Sequence, residues 1–200
     1  MTKIIGYLLI IPALVISVTF HEFMHGFVSS RLGDPTPKQA GRLTLNPLRH
    51  LDLLGSIMIF LVNFGWGKPM PINPTYYKNP RRGTMYVSLA GPLSNFFIAG
   101  VTVLIMRAAN FTTAGFLSTS LYYLAVISVF LGVFNLIPVP PLDGSKILAA
   151  FMPRNLLPAY YSMERYGIAI IFIGFYFFRW DRYLTPLVNV FFKAFGLPLY

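Results

Sequence analysis

The chain has 200 residues, of which 56% are hydrophobic and only 11% charged. Ordinary soluble domains carry about 25% charged residues, so this composition excludes such a domain and indicates a polytopic membrane protein. The net charge of +10 is accompanied by no nucleic-acid-binding motif, and we attribute it to basic loops that face anionic lipid. We therefore expect a lipid bilayer, and no nucleic acid, as a partner. The chain has no cysteine, which excludes disulfides and thiolate metal ligands.

Four apolar stretches are predicted to cross the membrane, and together they indicate an all-α fold. A spanning helix needs about 20 mainly apolar residues. The predicted spans are 4–30, 83–106, 118–137 and, between two arginines, the shorter 166–178. We expect a single domain over 1–200, with its core at about 4–152. Residues 160–200 would add the fourth span and, at 184–200, an amphipathic helix on the membrane interface.

The uncharged stretch 53–67 is too short to cross the membrane. As a helix its 15 residues would reach about 22 Å, against a hydrocarbon core of about 30 Å. Basic loops flank it on both sides, and the positive-inside rule places both loops in the cytoplasm. We therefore predict a re-entrant segment whose Gly-rich turn leans over a water-filled site. A short strand at 41–45 would belong to a small β-hairpin region nearby.

The pattern His-Glu-x-x-His occupies residues 21–25, near the end of the first predicted span. In a helix, residues i and i+4 lie on one face. His21 and His25 can therefore bind one metal ion, with Glu22 beside it as the general base of a metalloprotease. The whole chain has only three His and six acidic residues, and each is costly in an apolar run. A hydrogen-bonded histidine pair with a neutral glutamate would explain neither the cost nor the spacing.

An open zinc site needs a third protein ligand. Asp143 is favoured because it follows the sequence Ile-Pro-Val-Pro-Pro-Leu, in which three prolines within four positions must break the preceding helix. An alternative role for it is an ordinary turn or cap before Gly144. Asp34 and His50 are expected to be solvated loop residues. The donors that stay open as alternatives are Asp34, Asp52, Glu164, Asp181 and His50.

Four motifs, taken in order, resemble the site-2 protease family of intramembrane zinc metalloproteases, in its short form without PDZ or nucleotide-sensing domains. They lie at 21–25, 65–69, 91–95 and 135–144, and the resemblance extends from about residue 18 to residue 147. The resemblance implies one zinc ion on His21, His25 and Asp143, with Glu22 as the base. It also implies that Asn135 helps to hold the substrate or the developing oxyanion. Members of the family cleave transmembrane segments of other proteins.

Asn95, which is also polar at membrane depth, is interpreted as forming a helix–helix hydrogen bond, slightly in preference to a catalytic role. Gly91 and Pro92 are expected to bend the helix or to admit another backbone. A non-proteolytic metal-binding or transport protein stays open as an alternative, although transport should use ligands on several spans. A structural scaffold would leave the motif at 21–25 unexplained. We predict an intramembrane zinc endopeptidase of the cell membrane, with its active site toward the cytoplasm.

Overall fold

The computed structural model describes residues 3–62, 65–110 and 115–195. These ranges are helical, contain no strand, and have one antiparallel bridge between Leu51 and Gly67. Short 3-10 turns lie at Pro47–Arg49, Pro74–Tyr76 and Met163–Tyr166. The α-helices are α1 (Lys3–Arg31), α2 (Thr36–Gln39), α3 (Leu53–Val62), α4 (Pro80–Ala108), α5 (Phe116–Asn135), α6 (Asp143–Ala149), α7 (Leu157–Ser162), α8 (Gly167–Tyr176) and α9 (Trp180–Ala194).

Three of the helices are long and apolar enough to cross a membrane: α1 from Leu8 onward, α4 and α5. They confirm the first three predicted spans as helices. The start of α4 follows from its sequence, because the Asn79 side chain accepts a hydrogen bond from the Arg82 N–H and Pro80 occupies the first turn.

Helices α1 and α4 run in opposite directions. His25, late in α1, contacts Val87 early in α4, whereas His21 contacts Asn95 about two turns later in α4. The chain therefore leaves α1 and enters α4 at the same end of the bundle. The segment 32–79 consequently starts and finishes at that end.

Helix α5 packs against both other long helices. The site beside Gly132 is filled by the Phe96 ring of α4, which would lie 2.9 Å from an added Cβ. A buried hydrogen bond of 2.7 Å joins Ser17 of α1 to Ser128 of α5. Because Asp143 follows α5 and reaches the late residues of α1, α5 runs parallel to α1.

Helix α3 and the chain that follows it form a small hairpin. An added Cβ at Gly55 would lie 2.1 Å from the Trp66 carbonyl oxygen, so the returning chain runs directly against α3. The leucines of α3 are exposed, with Leu53 at 80% and Leu61 at 70%. Ten residues reach about 15 Å, half of a hydrocarbon core, and re-entry into the membrane stays a prediction.

The strand predicted at 41–45 is wrong. Gly41 has a positive φ of 62°, and the Thr44 N–H donates to the Arg42 carbonyl at 2.9 Å. The Asn46 N–H then donates to the Thr44 hydroxyl. These bonds between near neighbours satisfy the backbone locally and turn it, which leaves no extended edge for pairing.

The helix break after α5 is confirmed. The chain folds back so closely that an added Cβ at Gly144 would lie 2.2 Å from the Leu136 carbonyl oxygen, and only glycine fits. Helix α6 then begins at Asp143, two residues before the predicted start of that short helix at Ser145.

The fourth predicted span is not confirmed. Helix α7, a 3-10 turn and α8 follow one another without a gap, but α8 itself has ten residues, or about 15 Å. A full crossing by 166–178 stays a prediction.

The C-terminal amphipathic helix is present as α9, and its position at the membrane interface stays a prediction. Its buried residues recur every fourth position, at Leu184, Val188 and Phe192. The last two belong to a core that also contains residues of α4 and α5, namely Ala99, Val103, Ala125 and Val129. Helix α9 therefore packs along the bundle. Residues 196–200 of the prediction lie outside the described residues.

Candidate active site

His21, His25 and Asp143 converge at one point between α1 and α6. The two Nε2 atoms lie 3.0 Å apart, and Asp143 Oδ2 lies 3.1 Å from each of them. All three residues are buried. Tetrahedral zinc with ligands at about 2.0–2.1 Å separates those ligands by about 3.3 Å, so the triangle has the size of a zinc site. Within the described part of the chain, no other group of three His, Asp or Glu residues converges in this way.

The hydrogen bonds around His25 show that a cation fits this triangle. Its Nδ1 lies 2.6 Å from the Val87 carbonyl oxygen, which can only accept, so Nδ1 carries the proton. When the ring is neutral, as in a metal-binding histidine, its Nε2 atom presents a lone pair to Asp143 Oδ2, which is buried without a hydrogen-bond donor. Two acceptors at 3.1 Å repel each other unless a positive charge lies between them. A backbone carbonyl on the second ring nitrogen is the usual support for a metal-binding histidine.

Asn95 supports His21 in the same way. Its amide nitrogen lies 3.2 Å from His21 Nδ1, while its Oδ1 is buried without a partner. If the Asn95 side-chain amide is flipped by 180°, its Oδ1 accepts a hydrogen bond from the His21 Nδ1–H. The His21 Nε2 lone pair is then available to a metal. Asn95 does join two helices, as its sequence position indicated, but its partner is a predicted zinc ligand.

Gly91 allows α4 to approach both histidines. An added Cβ would lie 2.5 Å from His25 Nε2 and 2.6 Å from His21 Cε1. Two imidazole rings therefore lie against Gly91. The expectation was that the backbone of another segment would approach it. Pro92, the next residue, has no N–H and leaves the Ser88 carbonyl without its helical donor.

Glu22 faces the loop that follows α3. Its Oε2 accepts a hydrogen bond of 2.6 Å from the Met70 N–H. The loop is held upstream of Met70, where the Lys68 N–H donates to the His50 carbonyl and the Lys68 carbonyl accepts from Arg42. This stretch of the chain therefore contacts the candidate base through Met70. The contact agrees with the prediction that the stretch leans over the site.

Asn135 is not brought into the triangle. Its side-chain amide donates to the Leu131 carbonyl of its own helix at 3.0 Å, and the residue is half-buried. The structure records no hydrogen bond from it to His21, His25 or Asp143. Its predicted contact with substrate stays a prediction.

Among the alternative donors whose side chains the structure describes, none joins the three convergent residues, and two are not solvated. Asp34 and His50 are 1% and 0% exposed, so the expectation of solvated loop residues is wrong for both. The Asp34 carboxylate is satisfied by backbone and hydroxyl donors, and His50 Nε2 lies 2.7 Å from the Thr44 carbonyl oxygen. Asp52 accepts from an N–H at the start of α3, Glu164 is exposed, and the Asp181 side chain is outside the described residues.

Two groups in this site have no signature in the sequence. The Val87 carbonyl and the Met70 N–H belong to the backbone, and any residue type could supply them. Only the path of α4 and of the loop brings them to His25 and Glu22.

Comparison with known proteins identifies the class. The sequence profile of Peptidase family M50 matches residues 102–175. "Putative zinc metalloprotease YwhC" of Bacillus subtilis is 35% identical over 194 residues, which cover 94% of this chain and 88% of that protein. The chain therefore belongs to Peptidase family M50, the site-2 protease family, and is an integral membrane metalloprotease that uses zinc.

Two further relatives agree with this assignment. "Putative zinc metalloprotease Rip2" of Mycolicibacterium smegmatis is 28% identical over 97% of this chain and 76% of its own length. A protein of Methanocaldococcus jannaschii named as a zinc metalloprotease is 27% identical over 71% of this chain and 34% of its own length. No solved structure matches the chain significantly.

Proposed function

We propose that this protein is an intramembrane endopeptidase, which hydrolyses peptide bonds within or near the transmembrane segments of other membrane proteins. One observation carries the proposal: the three convergent donors lie among helices that are long and apolar enough to cross a bilayer. The candidate ligands His21 and His25 are themselves part of such a helix. A substrate that reaches them must enter at or below the membrane surface.

The roles of the residues follow from their chemistry. His21, His25 and Asp143 hold the ion, which supplies Lewis-acid activation of a water molecule and of the scissile carbonyl. Glu22 takes the proton of the attacking water and returns it to the leaving amine. Asn135 contacts the substrate where α5 ends. The Val87 carbonyl and Asn95 keep the two imidazoles in the tautomer that binds metal.

The same geometry favours a site near the cytoplasmic surface of the cell membrane. The segment 32–79 starts and finishes at the end of the bundle that holds the three donors, which supports re-entry of 53–67 in place of a full crossing. Eight basic residues flank this end in sequence and belong inside by the positive-inside rule. They are Arg31, Lys38, Arg42, Arg49, Lys68, Lys78, Arg81 and Arg82.

The test is cleavage of transmembrane peptides by purified protein, with metal measured on the same samples. Glu22→Gln should retain zinc and lose proteolysis by about 10²-fold or more, because only the general base is removed. Alanine at His21, His25 or Asp143 should remove both zinc and activity. A transporter or scaffold would cleave no peptide in any form. Full zinc occupancy in Asp143→Ala would refute the third-ligand assignment.

A further inference from the structure

Asp34 is a buried carboxylate that the roles described so far leave unused. It is 1% exposed, and its oxygens accept hydrogen bonds from the Ser29 hydroxyl at 2.7 Å, the Thr36 N–H at 2.9 Å and the Asn73 N–H at 2.7 Å. Burial alone would raise the pKa of Asp34, but the donors Thr36, Asn73 and Ser29 outweigh it and lower the pKa below its usual value. The group therefore stays ionised at neutral pH.

These donors come from three parts of the chain. Ser29 is in α1, one turn after His25, and Thr36 begins α2. Asn73 closes the segment 65–73, which we call the return loop. Ser29 gives its single hydrogen to Asp34, so the 2.7 Å contact between Ser29 and Tyr77 is a bond that Tyr77 donates. Asp34 thus ties the return loop to the end of the helix that carries the metal-binding motif.

The return loop in turn contacts the candidate base. Met70, three residues before Asn73, donates its N–H to Glu22 Oε2. Its side chain packs on Gly26 of α1, where an added Cβ would lie 2.9 Å from the Met70 sulfur. The loop is held upstream by Lys68 and downstream by Asp34, and Met70 lies between the two anchors.

An ordinary turn role does not account for all of these bonds. The contact from Asp34 to the Thr36 N–H closes a local turn after α1, as Asp often does. The contact to the Asn73 N–H joins residues 39 positions apart and contributes nothing to that turn. Its effect is to fix the distance between α1 and the return loop.

We propose that Asp34 is a positioning residue, which holds the return loop so that the Met70 N–H keeps the Glu22 carboxylate in its working orientation. This inference rests on the proposed function, in which Glu22 is the general base. Groups that orient a catalytic or metal-binding side chain typically contribute about 10- to 100-fold in activity. The loss should appear in kcat, because the contact acts on the base and not on substrate binding.

The test compares Asp34→Ala with Asp52→Ala. Asp52 also accepts a backbone N–H, from Gly55 at 2.8 Å, but has no recorded hydrogen bond to the return loop. Asp34→Ala should keep its zinc and lower kcat about 10- to 100-fold, with KM changed far less. Asp52→Ala should cleave at the normal rate. Normal kcat in Asp34→Ala, or loss of its zinc with the fold intact, would overturn the proposal.

A spectroscopic measurement separates this inference from the proposed function. The chain has two tryptophans, so Trp66→Phe, Trp180→Phe and Ile72→Trp together leave one reporter beside Asn73, on the Asp34 side of Met70. Adding Asp34→Ala should increase acrylamide quenching of this reporter whether or not the protein cleaves any peptide. Unchanged quenching would refute the link between Asp34 and the loop even if proteolysis fails in every sample.

A second pair of variants decides the matter if Asp34→Ala does not fold. Met70→Pro removes the N–H that Glu22 accepts, whereas Met70→Leu retains it; both alter the side chain. Because Met70 already precedes a proline, its backbone is biased toward the extended region that proline tolerates. The proposal requires a lower kcat in Met70→Pro than in Met70→Leu, and equal values would contradict it.

Discussion

Replacing Gly91 by alanine should displace the zinc ligands without changing any of them. The added Cβ would lie 2.5 Å from His25 Nε2 and 2.6 Å from His21 Cε1, whereas ordinary contacts begin at 3.4 Å. The overlap with His25 is the difference, 3.4 minus 2.5, or about 0.9 Å. Metal–ligand distances are held to about 0.2 Å. The ring must therefore move several times further than the metal site tolerates.

The magnitude follows from the cost of overpacking. One extra methyl in a packed interior typically costs about 1–3 kcal/mol, which corresponds to roughly 5- to 150-fold in an equilibrium constant. We expect zinc affinity to fall by a factor in this range, as measured by competition with a chelator on purified protein. Peptide cleavage at limiting zinc should fall in parallel.

Gly100→Ala is the matched control, because it makes the same change in the same helix. Its added Cβ would lie 3.4 Å from the nearest atom of the Phe195 ring, an ordinary contact. Both variants gain the same helix propensity, about 1 kcal/mol, so their difference isolates the contact with the histidines. Wild-type zinc affinity in Gly91→Ala would refute the packing argument, and a loss in Gly100→Ala would show that the effect is not specific.

Two further predictions concern other residues near the site, and a third concerns membrane topology. Asn95→Ala should weaken zinc affinity about 10- to 100-fold; unchanged affinity in chelator competition would reduce Asn95 to a packing amide. Asn135→Ala should keep its zinc and lose much of its cleavage rate, and a normal rate would remove its predicted contact with substrate. Single cysteines at Gln39 and Asn79 should react with an impermeant thiol reagent from the cytoplasmic side, and one at Leu117, which is 59% exposed, should react from the other side. Labelling of the first two from opposite faces would exclude re-entry.

The parts of the fold and site that depend on local sequence could be predicted. Three spans follow from the length of apolar runs, and the facing histidines follow from helical periodicity at 21–25. The helix break before Asp143 follows from the prolines. The sequence could also favour Asp143 as third ligand, because few other donors exist and the resemblance to the family points to the same residue. Each inference needs only neighbouring residues or a known pattern.

The contacts that join distant segments could not be predicted in this way. The partner of Asn95 depends on how α1 and α4 align, which no single residue specifies. The burial of Asp34 depends on the Asn73 N–H, and a backbone donor has no sequence signature. The amphipathic period of α9 fits a membrane surface as well as it fits the groove beside α4 and α5. The choice between them requires the three-dimensional arrangement.

The acceptor that orients the His25 ring is a main-chain oxygen. This limits which changes to the protein can alter the orientation of the ring. No side-chain replacement at Val87 deletes its carbonyl. An alanine scan of α4 would therefore not detect the hydrogen bond between this carbonyl and His25. The carbonyl itself moves only with the course of the helix, and Pro92 interrupts the hydrogen bonding of that helix five residues later. Chemical replacement of the amide between Val87 and Ser88 by an ester would weaken the carbonyl as an acceptor with every side chain intact. The orientation of this imidazole thus depends on the backbone geometry of α4, and most single-residue substitutions in α4 should leave it unchanged.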